Sequence, residues 1–236
     1  MRLFALVMFA VFVLHTPVFA NDKVCEGVDE FFIKKHINIP TLQIEGKREA
    51  YSLCEVVISI EGNYMTFYVS KENDFLILGE LFSSGVHISR ESILKYKQKE
   101  FLSSKEEIEK AVAFSYKPEN VKDVLYFFTD PNCPYCSRAK PEVKKIADNK
   151  GFEIRVIFFP INSVSRDKAV KGICGKMTYQ DYLDDKYSGS DCKEGQEKIE
   201  ASMRVGKKLK LGGVPTFITS KGLIFEGFNI EGLNSL

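Results

Sequence analysis

The chain is short of metal ligands and of surplus charge, and both shortages narrow what it can do. Of its three histidines only His36 and His87 lie beyond residue 20, and a second Cys-x-x-Cys is absent. Tetrahedral zinc asks for four close nitrogen or sulfur ligands, so no metal is expected, and nothing in the sequence calls for a cofactor. Lys and Arg number 33 against 32 Asp and Glu, and setting aside residues 1–20 removes only Arg2. A balance so near zero gives no electrostatic basis for nucleic acid as a partner. The longest uninterrupted apolar run, residues 3–14, has 12 residues, short of the roughly 20 that a membrane-spanning helix requires.

That run has another reading. Arg2 precedes it and Val18-Phe19-Ala20 follows, the order of a secretory signal peptide cleaved after Ala20. No cysteine follows directly, which disfavours a lipid anchor. Export changes how the cysteines read. Cys25, Cys54, Cys133, Cys136, Cys174 and Cys192 form an even set, which in an exported chain suggests disulfides, with about 15 connectivities open to six cysteines.

Residues 21–38 predict a short helix with Val28, Phe31, Phe32 and Ile33 at helical spacing, stopped at Ile39-Pro40. Strand-like runs follow at 51–60, 64–69 and 75–78, parted by turn signals at Glu61-Gly62-Asn63 and Lys71-Glu72-Asn73-Asp74. A small antiparallel sheet with a helix, residues 21–88, has a meagre core for its size. It is expected to gain from a Cys25–Cys54 disulfide, a partner subunit, or both. Residues 89–110 are highly charged and read as a connecting helix, with Ser89 as N-cap and a restart at the Ser103/Glu106 capping spacing.

From 111 to 236 the pattern turns α/β. A strand is expected at 111–116, a buried strand at 123–128, a helix at 137–150 closed by Gly151, and a strand at 153–159 stopped by Pro160. A lysine- and aspartate-rich helical region, 165–211, holds Cys174 and Cys192. Gly213-Val214-Pro215-Thr216 then opens a hairpin of residues 217–219 and 223–225. Strand, helix, strand, helices and hairpin is the thioredoxin order.

The chemistry sits at Cys133-Pro134-Tyr135-Cys136, between the 123–128 strand and the following helix. A cysteine just before a helix meets unpaired N–H groups and the positive end of the helix dipole, which favour thiolate. Cys133 would attack a substrate disulfide, and Cys136, one turn further in, would resolve the mixed disulfide. Pro134 suits a first turn, where its missing N–H has no helical partner.

On Phe128-Thr129-Asp130 before the cysteine pair, the 154–160 strand, Gly213 to Pro215, and Gly222 to Gly227, the chain resembles the periplasmic thiol:disulfide interchange proteins of the DsbC/DsbG family. The stretch from Gly62-Asn63-Tyr64 to Gly79-Glu80-Leu81 resembles that family's dimerisation sheet. The resemblance implies a periplasmic homodimer, each subunit joining a small cystatin-like domain to a thioredoxin-like domain with a helical insertion. It also implies a cis peptide at Pro215 facing the cysteine pair, a structural Cys174–Cys192 disulfide, and substrate contacts from Val214, Pro215, Pro134 and Tyr135. Its expected partners are unfolded or misoxidised exported proteins and a membrane reductant of the DsbD type. Disulfide isomerase or reductase is therefore the leading expectation. Pro134-Tyr135 is also similar to the DsbG dipeptide, pointing to reduction of sulfenylated cysteines with chaperone activity. Val214, where DsbC-like members carry Thr, points to a dithiol oxidase.

Overall fold

The computed structural model describes residues 22–60, 63–70, 72 and 74–236. The signal-peptide reading of residues 1–20 lies outside these, as do Glu61-Gly62, Lys71 and Asn73 of the two expected turns.

The N-terminal part is a four-stranded antiparallel sheet in the order β1 (Leu42–Ala50), β2 (Leu53–Ile60), β3 (Asn63–Ser70) and β4 (Phe75–Leu78). Ala50 pairs with Leu53 across a two-residue turn whose residues, Tyr51 and Ser52, both have positive φ. That geometry matches the right-handed twist of the flanking strands. β2 is buried on both faces, which is why it reads as a continuous apolar run. Cys54, Val56 and Ile58 pack with Cys25 and Val28, from a 3-10 turn at Asp22–Cys25 and the segment after it, and with Ile33 of α1 (Glu30–His36). A Cys25–Cys54 disulfide ties the turn to the start of β2. The helix is shorter than the expected 21–38: Asp29 caps it by accepting from the Phe32 N–H at 2.8 Å, and Phe31 is 80% exposed rather than part of its buried stripe. β1 has no counterpart among the expected strands. As an edge strand it buries little beyond Leu42 and Ala50, so its sequence lacks alternation.

A short ribbon, β5 (Phe82–Ser83) and β6 (Val86–His87), leads into α2 (Ile88–Ser103) and α3 (Lys105–Ala111). α2 covers the second face of the sheet through buried polar groups. Glu55 accepts from Arg48, from the Ser92 hydroxyl at 2.7 Å and from the Tyr68 hydroxyl at 2.8 Å, and Tyr68 also bonds Ser89 at 2.6 Å. Ser89 is therefore buried inside the helix instead of capping it; His87 holds the cap position. The restart is at Ser104, not Ser103, and without a capping box, because both hydroxyls bond back to the Glu100 carbonyl. Gly46 marks a register shift in β1, and a Cβ there would lie 1.8 Å from the Tyr96 hydroxyl, so close docking of α2 requires glycine.

The C-terminal part is the thioredoxin-like fold with a helical insertion. Its five-stranded sheet has the order β11-β10-β8-β9-β7, from β7 (Phe114–Tyr116), β8 (Asp123–Thr129), β9 (Phe152–Phe158), β10 (Thr216–Thr219) and β11 (Ile224–Glu226). Only β8 and β9 run parallel, joined through α4 (Pro134–Lys150). The insertion resolves into α5 (Ser163–Cys174), α6 (Tyr179–Leu183) and α7 (Lys193–Lys208), and a disulfide joins Cys174 at the end of α5 to Cys192 at the N-cap of α7. The expected 111–116 strand shortens to β7, since Ala111 still belongs to α3. A five-residue helix, α8 (Ile230–Asn234), follows the hairpin and buries Leu233.

Two cores flank this sheet. α4, α5, α6 and α8 pack on one face over Leu125, Phe127, Ile154 and Val156. On the other lie Phe101 of α2, Ile108 of α3 and Val205 of α7, over Tyr126, Phe128 and Ile218. The charged 89–110 stretch thus contributes side chains to both parts of the molecule.

Candidate active site

β8 is a largely apolar, aromatic-rich run that ends at Thr129 and delivers Asp130 to the loop before α4. Asp130 is fully buried. Its Oδ1 accepts from the Asn132 N–H at 2.7 Å and from the Ser165 hydroxyl at 2.9 Å, and its Oδ2 from the Ile161 N–H at 2.8 Å. One carboxylate therefore shapes the loop before Cys133 and pins it to the segment that opens α5.

Cys133 is the N-cap of α4, and Pro134 takes the first helical position. The Cys133 sulfur accepts from the Cys136 N–H at 3.3 Å, and its thiol points at the Val214 carbonyl at 3.7 Å. Val214-Pro215 is a cis peptide, Pro215 is buried, and the Pro215 carbonyl is held by the Gly227 N–H at 2.8 Å. Cys133 and Cys136 are both free thiols. The fold thus brings Val214 and Pro215 against Cys133, although about eighty positions separate them.

The two thiols sit in different surroundings. Cys133 retains some solvent contact, while Cys136 is fully buried. Burial pushes the Cys136 thiol up to about 12, helped by the neighbouring Cys133 sulfur and opposed by contacts from the Asp130 main chain and the Thr129 side chain. Tyr135 is exposed, and the Arg138 guanidinium stacks between its ring, 5.1 Å from the centroid, and that of Phe228, at 4.7 Å. Ile161 and Val164, also exposed, add apolar surface on the Asp130 side. Among the described residues no cluster of three or more His, Cys, Asp and Glu side chains is placed to hold a metal ion.

Asp130 and Lys140, both buried at this site, had no role in the sequence reading. Asp130 belonged to a matching motif, but its partners at 161 and 165 are distant in the chain. Lys140 occupies the buried stripe of α4 with Cys136, Ala139, Val143 and Ile146. A lysine at that register in an amphipathic helix is a legible signal.

Comparison with known proteins places the C-terminal part among characterised chains. The sequence model of a family described as thioredoxin-like domain matches residues 110–234, more than half of the chain. The thiol:disulfide interchange protein DsbC of Salmonella typhimurium is 24% identical over 166 residues, covering 68% of this chain and 67% of its own. Among solved structures, the catalytic domain of Proteus mirabilis ScsC aligns with a TM-score of 0.48 at 16% identity, covering 58% of this chain and 96% of its own. The thiol-disulfide exchange protein alpha-DsbA2 of Wolbachia pipientis aligns with a TM-score of 0.48 at 15% identity, covering 61% and 95%.

Proposed function

The chain belongs to the thioredoxin-like domain family, and from that premise we propose that this thiol-disulfide oxidoreductase is an exported disulfide isomerase of the DsbC/DsbG kind. Cys133 is its nucleophile. The Cys136 N–H aimed at the Cys133 sulfur and the start of α4 supply positive charge where a thiolate sits. Attack on a substrate disulfide forms a mixed disulfide and releases one substrate thiolate. That thiolate then attacks elsewhere in the same substrate, which is isomerisation, or Cys136 attacks Cys133 and frees the substrate reduced. The cis peptide leaves the Val214 carbonyl beside Cys133, where an extended substrate backbone can pair. The apolar rim of Tyr135, Phe228, Ile161 and Val164 suits unfolded chains rather than a small polar thiol.

One observation carries the choice of isomerase: among the described residues, the β4 edge of the N-terminal sheet exposes apolar side chains. Ile77 is 46% and Leu78 57% exposed on β4, and Phe82 on the ribbon beside it is 61% exposed. An edge strand with such a surface calls for a second strand edge, and pairing of two subunits there would enclose unfolded substrate between two active sites. Cys133 would be kept reduced by a membrane reductant of the DsbD type, in the periplasm, which agrees with the signal-like residues 1–20.

The reading is tested by reactivation of scrambled ribonuclease. The wild type is expected to restore activity and Cys133→Ala to give none; equal performance by the two would overturn it. Pro134-Tyr135 favours one second reading, reduction of sulfenylated cysteines. Mixed disulfides trapped by Cys136→Ala decide between them: partners with several cysteines support isomerisation, and partners with a single cysteine support sulfenate reduction.

A further inference from the structure

Exchange through two thiols has a second half that the nucleophile does not perform. Once Cys133 holds a substrate sulfur, Cys136 must lose its proton and attack. Its thiol is fully buried and raised to about 12, so a positive charge close by favours the thiolate that this step requires.

Lys140 follows Cys136 by four positions on α4, which stacks the two side chains on one helix face, and that face is the buried one. Lys140 is only 3% exposed. Its ammonium donates to the Tyr182 carbonyl at 2.9 Å, lies 4.0 Å from the centroid of the Tyr182 ring, and stands 3.5 Å from Asp185 Oδ1. Burial lowers the lysine, Asp185 raises it, Lys168 lowers it, and charge on Cys136 raises it by the smallest share. The Thr129 side chain and the Asp130 main chain favour a thiolate at Cys136 by contact but bring no positive charge. The Asp130 side chain is acidic, burial keeps Tyr182 and Tyr187 neutral, and Lys168, which shares Asp185 with Lys140, pairs with it more closely at 2.8 Å and lies near Asn132.

We propose that Lys140 is the positioning residue of the resolving step, its buried ammonium making a thiolate at Cys136 attainable inside the protein. The inference rests on the dithiol reading above. The Cys136 S–H bond breaks and its proton passes to water. The thiolate attacks the Cys133 sulfur, the Cys133–substrate S–S bond breaks, and the Cys133–Cys136 bond forms. The departing substrate thiolate takes a proton from water. The cysteine pair loses the two electrons that the substrate disulfide gains, and Lys140 keeps its proton, supplying charge alone.

The test is iodoacetamide alkylation of Cys136 in a Cys133→Ala background at fixed pH. Lys140→Met is expected to slow it about tenfold, the equivalent of one pH unit, and Lys140→Arg to restore it. Asp185→Asn, at an exposed position and in a Lys168→Met background because Asp185 also holds Lys168, is expected to speed it by freeing the Lys140 ammonium from its counter-ion. With both cysteines present, Lys140→Met should slow release of 5-thio-2-nitrobenzoate from its mixed disulfide with Cys133 by a similar factor. Equal alkylation rates in Lys140→Met and its parent overturn the role of Lys140. If Lys140→Met does not fold, an unchanged rate on adding Asp185→Asn to Lys168→Met overturns it instead. A wild type that never releases the captured thiol overturns the dithiol reading itself, which the alkylation rates leave separate.

Discussion

Cys133 and Cys136 stand three positions apart, and the difference in their surroundings supports the division of work proposed for them. The first sits at an open helix end beside a cis peptide; the second lies beneath it with no solvent contact. Because Cys136 titrates higher in the fold than in an unfolded chain, the protonated thiol stabilises the reduced protein. That contribution is whole below the ordinary thiol range and is lost as pH rises toward about 12. The urea midpoint of the reduced wild type is therefore expected to fall more steeply above pH ~9 than that of Cys136→Ala, followed by circular dichroism. Parallel curves would contradict the burial of that thiol. At this scale the sequence was informative about the cysteines, whose spacing and position before a helix carry their chemistry. It was silent about Asp130, because a carboxylate's partners at 161 and 165 are set by the packing of α5 against the loop.

Among the elements, the insertion is the clearest case of a covalent staple. Cys174 ends α5 and Cys192 caps α7, closing a loop over a sequence separation of 18 that contains only the five-residue helix α6. Opening it by Cys174→Ala with Cys192→Ala is expected to lower stability by about 3 kcal/mol, the chain-entropy value for a loop of that size, measured by urea unfolding. A loss below about 1 kcal/mol would mean that the helices hold the insertion without the bond. The buried strands β2, β8 and β9 were readable as apolar runs because both of their faces are covered. β1 was not, since an edge strand with one bulge and a glycine under Tyr96 carries no alternation. The charged stretch at 89–110 read as a solvated connector because its few buried side chains, among them Phe101 and Ile108, are spread over two helices.

Over the whole molecule, α2 and α3 join the two sheets instead of separating them. Lys97 of α2 pairs with Glu226 of β11 at 2.5 Å, and Lys210 reaches from the end of the insertion to Glu45 and to the Tyr64 ring, 3.6 Å from its centroid. β4 is the edge of the N-terminal sheet opposite β1, and it carries the exposed Ile77 and Leu78. Ile77→Lys with Leu78→Lys is expected to yield a monomer in sedimentation velocity at micromolar concentration. It should abolish ribonuclease reactivation while sparing reduction of a small aromatic disulfide. A wild type that sediments as a monomer would end the dimer proposal.

What the sequence determined by itself is what local chemistry determines: a cysteine pair at a strand-to-helix junction, the order of elements that makes a thioredoxin-like fold with an insertion, and an even cysteine set without metal ligands. Only the tertiary structure decided what lies against that pair. The Val214 carbonyl, the partners of Asp130 at 161 and 165, and the Tyr182 carbonyl that holds Lys140 come from segments that meet because β8 runs between β9 and β10 and the insertion folds over α4. Burial and distance, which raise one thiol and leave the other accessible, are properties of that meeting and are written in no single stretch of the chain.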